Sequence, residues 1–170
     1  MIKFDAEIVE LPSLDFEAVR NWIERVAANH RFEVGRLSYL FCDDPTILDT
    51  NIKFLGHDYY TDIITFDYTR WFDSNDAGGF QGRINGDMII SLDTVKTNAE
   101  KEGENYHREL LRVIIHGVLH LCGINDKGPG DREIMEAEEN KALSLLPSPL
   151  LTVASCPLPT ALSPIPNCPQ

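Results

Sequence analysis

The hydrophobic positions of this chain change period several times, and each change marks an expected element. Ile2, Phe4, Ala6 and Ile8 alternate with polar neighbours, the two-residue period of a half-buried strand. Phe16, Val19, Trp22, Ile23 and Val26 then recur at helical spacing, which predicts a helix capped by Ser13 or Asp15. A second strand is expected over 35–42 (GRLSYLFC), after which Asp43-Asp44-Pro45 opens a short helix running to about Phe54. Two apolar runs, Ile63 to Phe66 and Met88 to Leu92, read as paired strands. The stretch between them, Asp73 to Gly86, is rich in Gly, Asp, Ser and Asn and reads as a long loop. Three helices are expected next, over about 93–102, 106–122 and 131–145. No internal repeat is visible. The order predicts an α+β fold, a small mixed sheet of about four strands packed with about five helices.

The penultimate helix is apolar around most of its circumference, the pattern of a helix buried on nearly every side. Its one polar stripe carries Glu109, Arg112, His116 and His120 at three- and four-residue spacing, so these side chains project side by side. Two buried imidazoles without a partner are costly, and protonated they repel. A shared cation removes both problems, and histidines at i and i+4 bring their ring nitrogens within reach of one Zn²⁺. Gly123 can end the helix in the left-handed conformation and turn the chain back, so that Asp126 arrives six residues after His120 as an oxygen donor. His116, His120 and Asp126 are therefore the expected metal ligands, at the end of a buried helix. Three protein ligands leave a position open for water, as in catalytic rather than structural zinc sites. The spacing also resembles the zinc helix of metzincin peptidases, but those need a Glu as general base directly after the first His, and Gly117 stands there. Met135 reads as ordinary core rather than as a Met-turn residue.

Charge divides the chain. All 27 acidic and 15 basic residues lie within residues 1–141, and seven of the ten prolines lie beyond them. Residues 1–146 are expected to form the domain, and 147–170 a Pro-rich, uncharged, poorly ordered tail. Two cysteines, Cys156 and Cys168, fall in that tail. With Cys42 and Cys122 they form no CxxC, so all four read as reduced thiols of a cytoplasmic protein. No apolar run approaches the ~20 residues of a membrane span. A net charge of −12 argues against a broad nucleic-acid surface and against anionic membranes.

His116-Gly-Val-Leu-His120-Leu-Cys-Gly123 followed by Asp126-Lys127 resembles the motif of the YbeY family of bacterial rRNA maturation factors. The segment Leu55 to Phe66 is similar to the family's stretch ending in Thr-Asp-Val-Leu-Ser-Phe, and Asn85 to Ser91 to its Gly-Asp-Ile-x-Ile-Ser strand. Met135 and Glu138 fit its last helix, and the likeness spans about residues 10–146. The resemblance implies a single-strand-specific endoribonuclease with one Zn²⁺ per chain. It implies action on the 3′ end of 16S rRNA and in ribosome quality control. The implied partners are single-stranded rRNA precursors and the ribosome or small-subunit assembly factors, with neither DNA nor membrane among them. Two positions depart from the family. Asp126 stands where its third ligand is usually His, and Leu55 where it usually carries an Arg implicated in activity. His57, two residues on, is the candidate replacement as a cationic or proton-transfer group, and Arg112 a candidate for stabilising charge on phosphate. Asp62 and Asp87 are candidates to orient an imidazole through its second nitrogen.

Residues 107–132 carry Arg108, Arg112, Lys127 and Arg132 against Glu109, Asp126 and Asp131. With a metal added, this neighbourhood is expected to be locally positive, giving weak and strongly salt-sensitive RNA binding. Two other functions stay open at this point: a non-catalytic assembly factor braced by zinc, and a metal-dependent hydrolase of another bond.

Overall fold

The computed structural model describes residues 1–71 and 79–147. Strand β1 (Ile2–Ala6) is followed by helix α1 (Phe16–Asn29), β2 (Phe32–Cys42) and α2 (Asp44–Leu55). Then come β3 (Ile63–Asp67), β4 (Arg70–Trp71) and β5 (Gly82–Ser91), and finally α3 (Leu92–Glu102), α4 (Tyr106–Leu121) and α5 (Asp131–Ser144). The sheet runs β1-β2-β5-β3, with β4 also pairing β5. β1, β2 and β5 are parallel, whereas β3 and β4 run antiparallel to β5. The fold is thus the expected α+β arrangement, with five strands rather than four among the described residues.

The helices begin where the side chains cap them. Asp15 accepts from the amides of Glu17 and Ala18 at 3.1 and 3.0 Å, and Asp43 from Thr46 at 3.0 Å. The first strand is shorter than its pattern suggested. It ends at Ala6, and Ile8 sits at φ 68° with 78% of its surface exposed. β2 starts three residues earlier than expected. β5 takes in Gly82 to Asp87, so the end of the expected loop is strand, while part of that loop lies outside the described residues, as do 148–170.

Two cores cover the two faces of the sheet. Met88 and Ile90 face α1, α4 and α5 in the main core, which holds Val19, Trp22, Ile23, Ile114 and Val118. Ile89, one residue out of phase, packs on the other face with Cys42, Ile47 and Ile64 beneath α2. Trp22 Nε1 donates to the Ala142 carbonyl at 2.8 Å and ties α1 to α5. Ten of the sixteen residues of α4 are buried, so the helix is enclosed except along its polar stripe. Its close seat on the sheet depends on Gly86. A Cβ there would lie 2.9 Å from both Leu121 Cδ1 and the Phe66 carbonyl oxygen.

Candidate metal centre

The polar stripe of α4 is partly open to solvent, and at its C-terminal half His116 and His120 project together. The helix ends in a hydrogen-bonded reversal: the Gly123 amide donates to the His120 carbonyl at 2.9 Å, and the Ile124 amide to the Leu119 carbonyl at 3.0 Å. Gly123 supplies the φ of 86° that this reversal requires. The turn does two things. It aims the Ile124 carbonyl at His120 Nδ1, 2.9 Å away, and it returns the chain so that Asp126 faces both imidazoles.

The three side chains converge. His116 Nε2 and His120 Nε2 are 2.9 Å apart, and Asp126 Oδ2 is 3.8 and 3.7 Å from them. Four-coordinate zinc with bonds of about 2.0–2.1 Å sets neighbouring donors about 3.3 Å apart, a value these separations bracket. The hydrogen bonds determine which atoms face inward. A backbone carbonyl only accepts, so His120 Nδ1 carries its proton toward Ile124. His116 Nδ1 likewise donates to Glu139 Oε1 at 2.7 Å. In the neutral state both Nε2 lone pairs therefore point at each other beside a carboxylate. Three acceptors gathered without a proton between them form a donor set suited to a divalent cation.

Charge around the two imidazoles differs. Burial alone would lower the His116 pKa, but its bond to Glu139 and the charges of Glu139, Asp62 and Asp126 outweigh this and leave it raised. His120 is lowered, first by burial and then by the neighbouring His116. Glu139 is buried and shared: its other oxygen accepts from Arg112 Nη1 at 3.2 Å. Arg112 also pairs with Glu109 at 3.4 Å, so its guanidinium is engaged by two carboxylates.

Glu139 is the candidate site residue that sequence reasoning missed. The expected imidazole-orienting carboxylates sit elsewhere. Asp62 accepts from the Ile63 amide at 2.8 Å and from Asn98 at 3.4 Å, and Asp87 pairs with Arg36 at 3.9 Å. Asp62 nevertheless lines the site, which lies where two cavities meet. Asp62, His116 and Asp126 border both.

The larger cavity, about 800 Å³, is lined by seven carboxylates (Asp62, Glu102, Glu104, Glu109, Asp126, Glu136 and Glu139) and two guanidinium groups (Arg112 and Arg132). The expected local excess of positive charge is therefore not found. Arg108 is paired with Glu104 at 3.2 Å, Arg112 with Glu109 and Glu139, and Arg132 with Glu136 at 3.0 Å. Helices α3 and α5 bring in carboxylates that a count along α4 alone leaves out. The second cavity, about 480 Å³, holds His120, Leu55, His57, Tyr59, Thr61 and Lys127. His57 is exposed and shares a 3.1 Å hydrogen bond with the Tyr59 hydroxyl. Gly117 is packed against the sheet, where a Cβ would lie 2.9 Å from Ile63 Cδ1. The position after the first His has no room for a peptidase's glutamate.

Together these features define an α+β protein whose buried helix and following turn present a candidate three-donor metal centre between two clefts. The chain belongs to the endoribonuclease YbeY family, a model of which matches residues 4–147. It is similar to the endoribonuclease YbeY of Phocaeicola vulgatus, with 54% identity over 86% of this chain and 99% of the relative. Identity to the protein of the same name from Parabacteroides distasonis is 53%, over 86% of this chain and 96% of that one. A solution structure of a Thermotoga maritima protein shares the fold, with a TM-score of 0.60 at 19% identity, covering 95% of this chain and 100% of the other.

Proposed function

We propose that this chain is a zinc-dependent endoribonuclease that cuts single-stranded RNA and acts in maturation of the 16S rRNA 3′ end and in ribosome quality control. The observation that carries the reading is the convergence of His116, His120 and Asp126 on one open point within a family of endoribonucleases. Those three residues would hold the ion. A bound zinc lowers the pKa of a water it coordinates and polarises a phosphoryl oxygen. The rest is the work of the chain. Glu139 and the Ile124 carbonyl keep both imidazoles in the tautomer that leaves Nε2 free. Arg112, held between Glu109 and Glu139, acts as a positioning residue through Glu139. His57 faces the same cavity as the ligands and is the assigned proton-transfer group. The domain is assigned to residues 1–146 and the proline-rich remainder to a tail, in the cytoplasm, with rRNA precursors and the ribosome or its small-subunit assembly factors as partners.

The test measures zinc per chain and cleavage of a single-stranded RNA by wild type and by His120→Ala prepared identically. One zinc and cleavage lost in the variant are expected. Full cleavage by the variant would trace the activity to a contaminant. Leu55, exposed in the cavity where the family usually has Arg, favours one second reading, an assembly factor braced by zinc. Wild type that binds zinc and cuts nothing would establish it. The strong salt sensitivity expected from a locally positive site is revised to a shallow one, because carboxylates outnumber guanidinium groups in the larger cavity and Lys127 is the one lysine or arginine lining the smaller. At about −0.7 per phosphate neutralised, the slope should be shallower than about −2.

A further inference from the structure

The smaller cavity is poor in positive charge, but His57 and Tyr59 both line it. Tyr59 is 57% exposed, in a segment that also exposes Tyr60, Phe54 and Leu55. The two lining rings are ordered against one another. The His57 and Tyr59 rings stack with centroids 5.2 Å apart and 20° between planes, and they share the hydrogen bond already described.

The backbone beneath them is also held. Gly56 ends α2 in the left-handed conformation, at φ 68°. The His57 amide then donates to the Asn51 carbonyl at 3.3 Å, while Asn51 Nδ2 donates to the Tyr59 carbonyl at 2.8 Å. Asn51 is 2% exposed, so a buried amide is committed to shaping this one short loop. Rings held in place before a ligand arrives lose little freedom when it binds.

We infer that Tyr59, backed by His57, is a stacking platform for an unpaired nucleobase of the RNA strand lying across the metal centre. The inference rests on the RNA-cleaving reading above. Both rings line the cavity that contains His116, His120 and Asp126, so a base seated on Tyr59 places its strand beside the proposed ligands. Stacking is indifferent to net charge and tolerant of sequence, which suits a strongly acidic protein. It also selects for single strands, because a base held in a duplex cannot splay onto an aromatic face.

The experiment is a protein–RNA double-mutant cycle with the zinc-loaded full chain. Steady-state cleavage is measured on a short single-stranded RNA and on a panel with one abasic site at each successive position. The proteins compared are wild type, Tyr59→Ala and Tyr59→Phe. One abasic position should raise KM about 5- to 150-fold in wild type, with kcat little changed. The same position should have no effect in Tyr59→Ala, whose KM is already raised with every RNA, and Tyr59→Phe, which keeps the ring but not the hydroxyl bound to His57, should keep the wild-type ratio of KM between abasic and intact RNA whatever its kcat. A merely structural role would not produce coupling to a single nucleotide. Identical abasic profiles in wild type and Tyr59→Ala would overturn the platform and leave the nuclease reading intact, as would loss of the abasic effect in Tyr59→Phe. Wild type that cleaves no RNA would overturn both.

Discussion

Replacing Glu139 by Gln should weaken zinc binding without touching a proposed ligand. The carboxylate accepts from His116 Nδ1 at 2.7 Å through one oxygen and from Arg112 at 3.2 Å through the other. An amide has one acceptor and one donor end, so either orientation breaks one bond. With its oxygen on His116, its NH₂ faces the Arg112 guanidinium, donor against donor. Reversed, it satisfies Arg112 and donates to His116 Nδ1, which drives the imidazole proton to Nε2, where the ion must bind. Loss of such an orienting partner lowers metal affinity about 10- to 100-fold. That corresponds to about 1.4–2.7 kcal/mol, within the range of one charge-assisted hydrogen bond. The assay is competition for zinc against a chromophoric chelator at neutral pH, with Glu138→Gln as control. Glu138 is the adjacent residue of the same helix, but its carboxylate pairs with His30 at 3.4 Å and Lys141 at 3.3 Å, away from the site. The control should bind like wild type. Glu139→Gln holding zinc within about twofold of wild type would refute the role assigned to this carboxylate.

Two further outcomes test the scaffold. Gly86→Ala should destabilise the fold by about 1–3 kcal/mol, read as a lower denaturant midpoint at unchanged slope, because the Phe66 carbonyl 2.9 Å from the added methyl is backbone and has little room to move. The thiols of Cys42 and Cys122 are each pushed up to about 12, by burial in both cases and in Cys42 also by nearby carboxylates, Asp43 foremost. With Cys156 and Cys168 replaced by Ser, an alkylating reagent at pH 8 should leave the native protein unlabelled and label the unfolded chain twice. The sign for stability follows from the same shift. Unfolded thiols ionise above about 8.5 and buried ones do not, so the stability they confer is complete below that pH and is lost as pH rises toward 12.

What was legible in the sequence, and what was not, follows from the range of the physics involved. The His116/His120 pair and the Gly123 turn are local: helical spacing and one glycine suffice to bring Asp126 back to the imidazoles. The start of β5 was read as loop because Gly82, Asn85 and Gly86 carry loop propensity. Each has a tertiary reason to be in a strand. Gly82 lies against the Arg70 carbonyl, where a Cβ would sit 2.8 Å away, and Asn85 Oδ1 accepts from the Arg36 amide at 2.9 Å beside the irregularity in β2. Glu139 was hidden by distance and company. It lies 23 residues beyond His116 in a helix that also carries Glu133, Glu136 and Glu138, and only packing against α4 distinguishes it. The error in local charge has the same origin, since the carboxylates that neutralise the α4 arginines come partly from α5 and from the segment joining α3 to α4.

The order of elements along the chain has a consequence for synthesis. Among the described residues every strand of the sheet precedes Leu92, whereas all three proposed ligands and Glu139 follow Ile115. A nascent chain that has emerged only as far as Ser91 holds the whole sheet and none of the metal donors. At roughly 5–20 residues per second, translation from Ser91 to Glu139 takes about 2–10 seconds. During that interval the scaffold can form while the centre is incomplete. The last of the described helices to leave the ribosome is the one that holds His116 in its proposed ligand tautomer, so an interrupted chain is left without the orienting carboxylate on which the proposed chemistry depends.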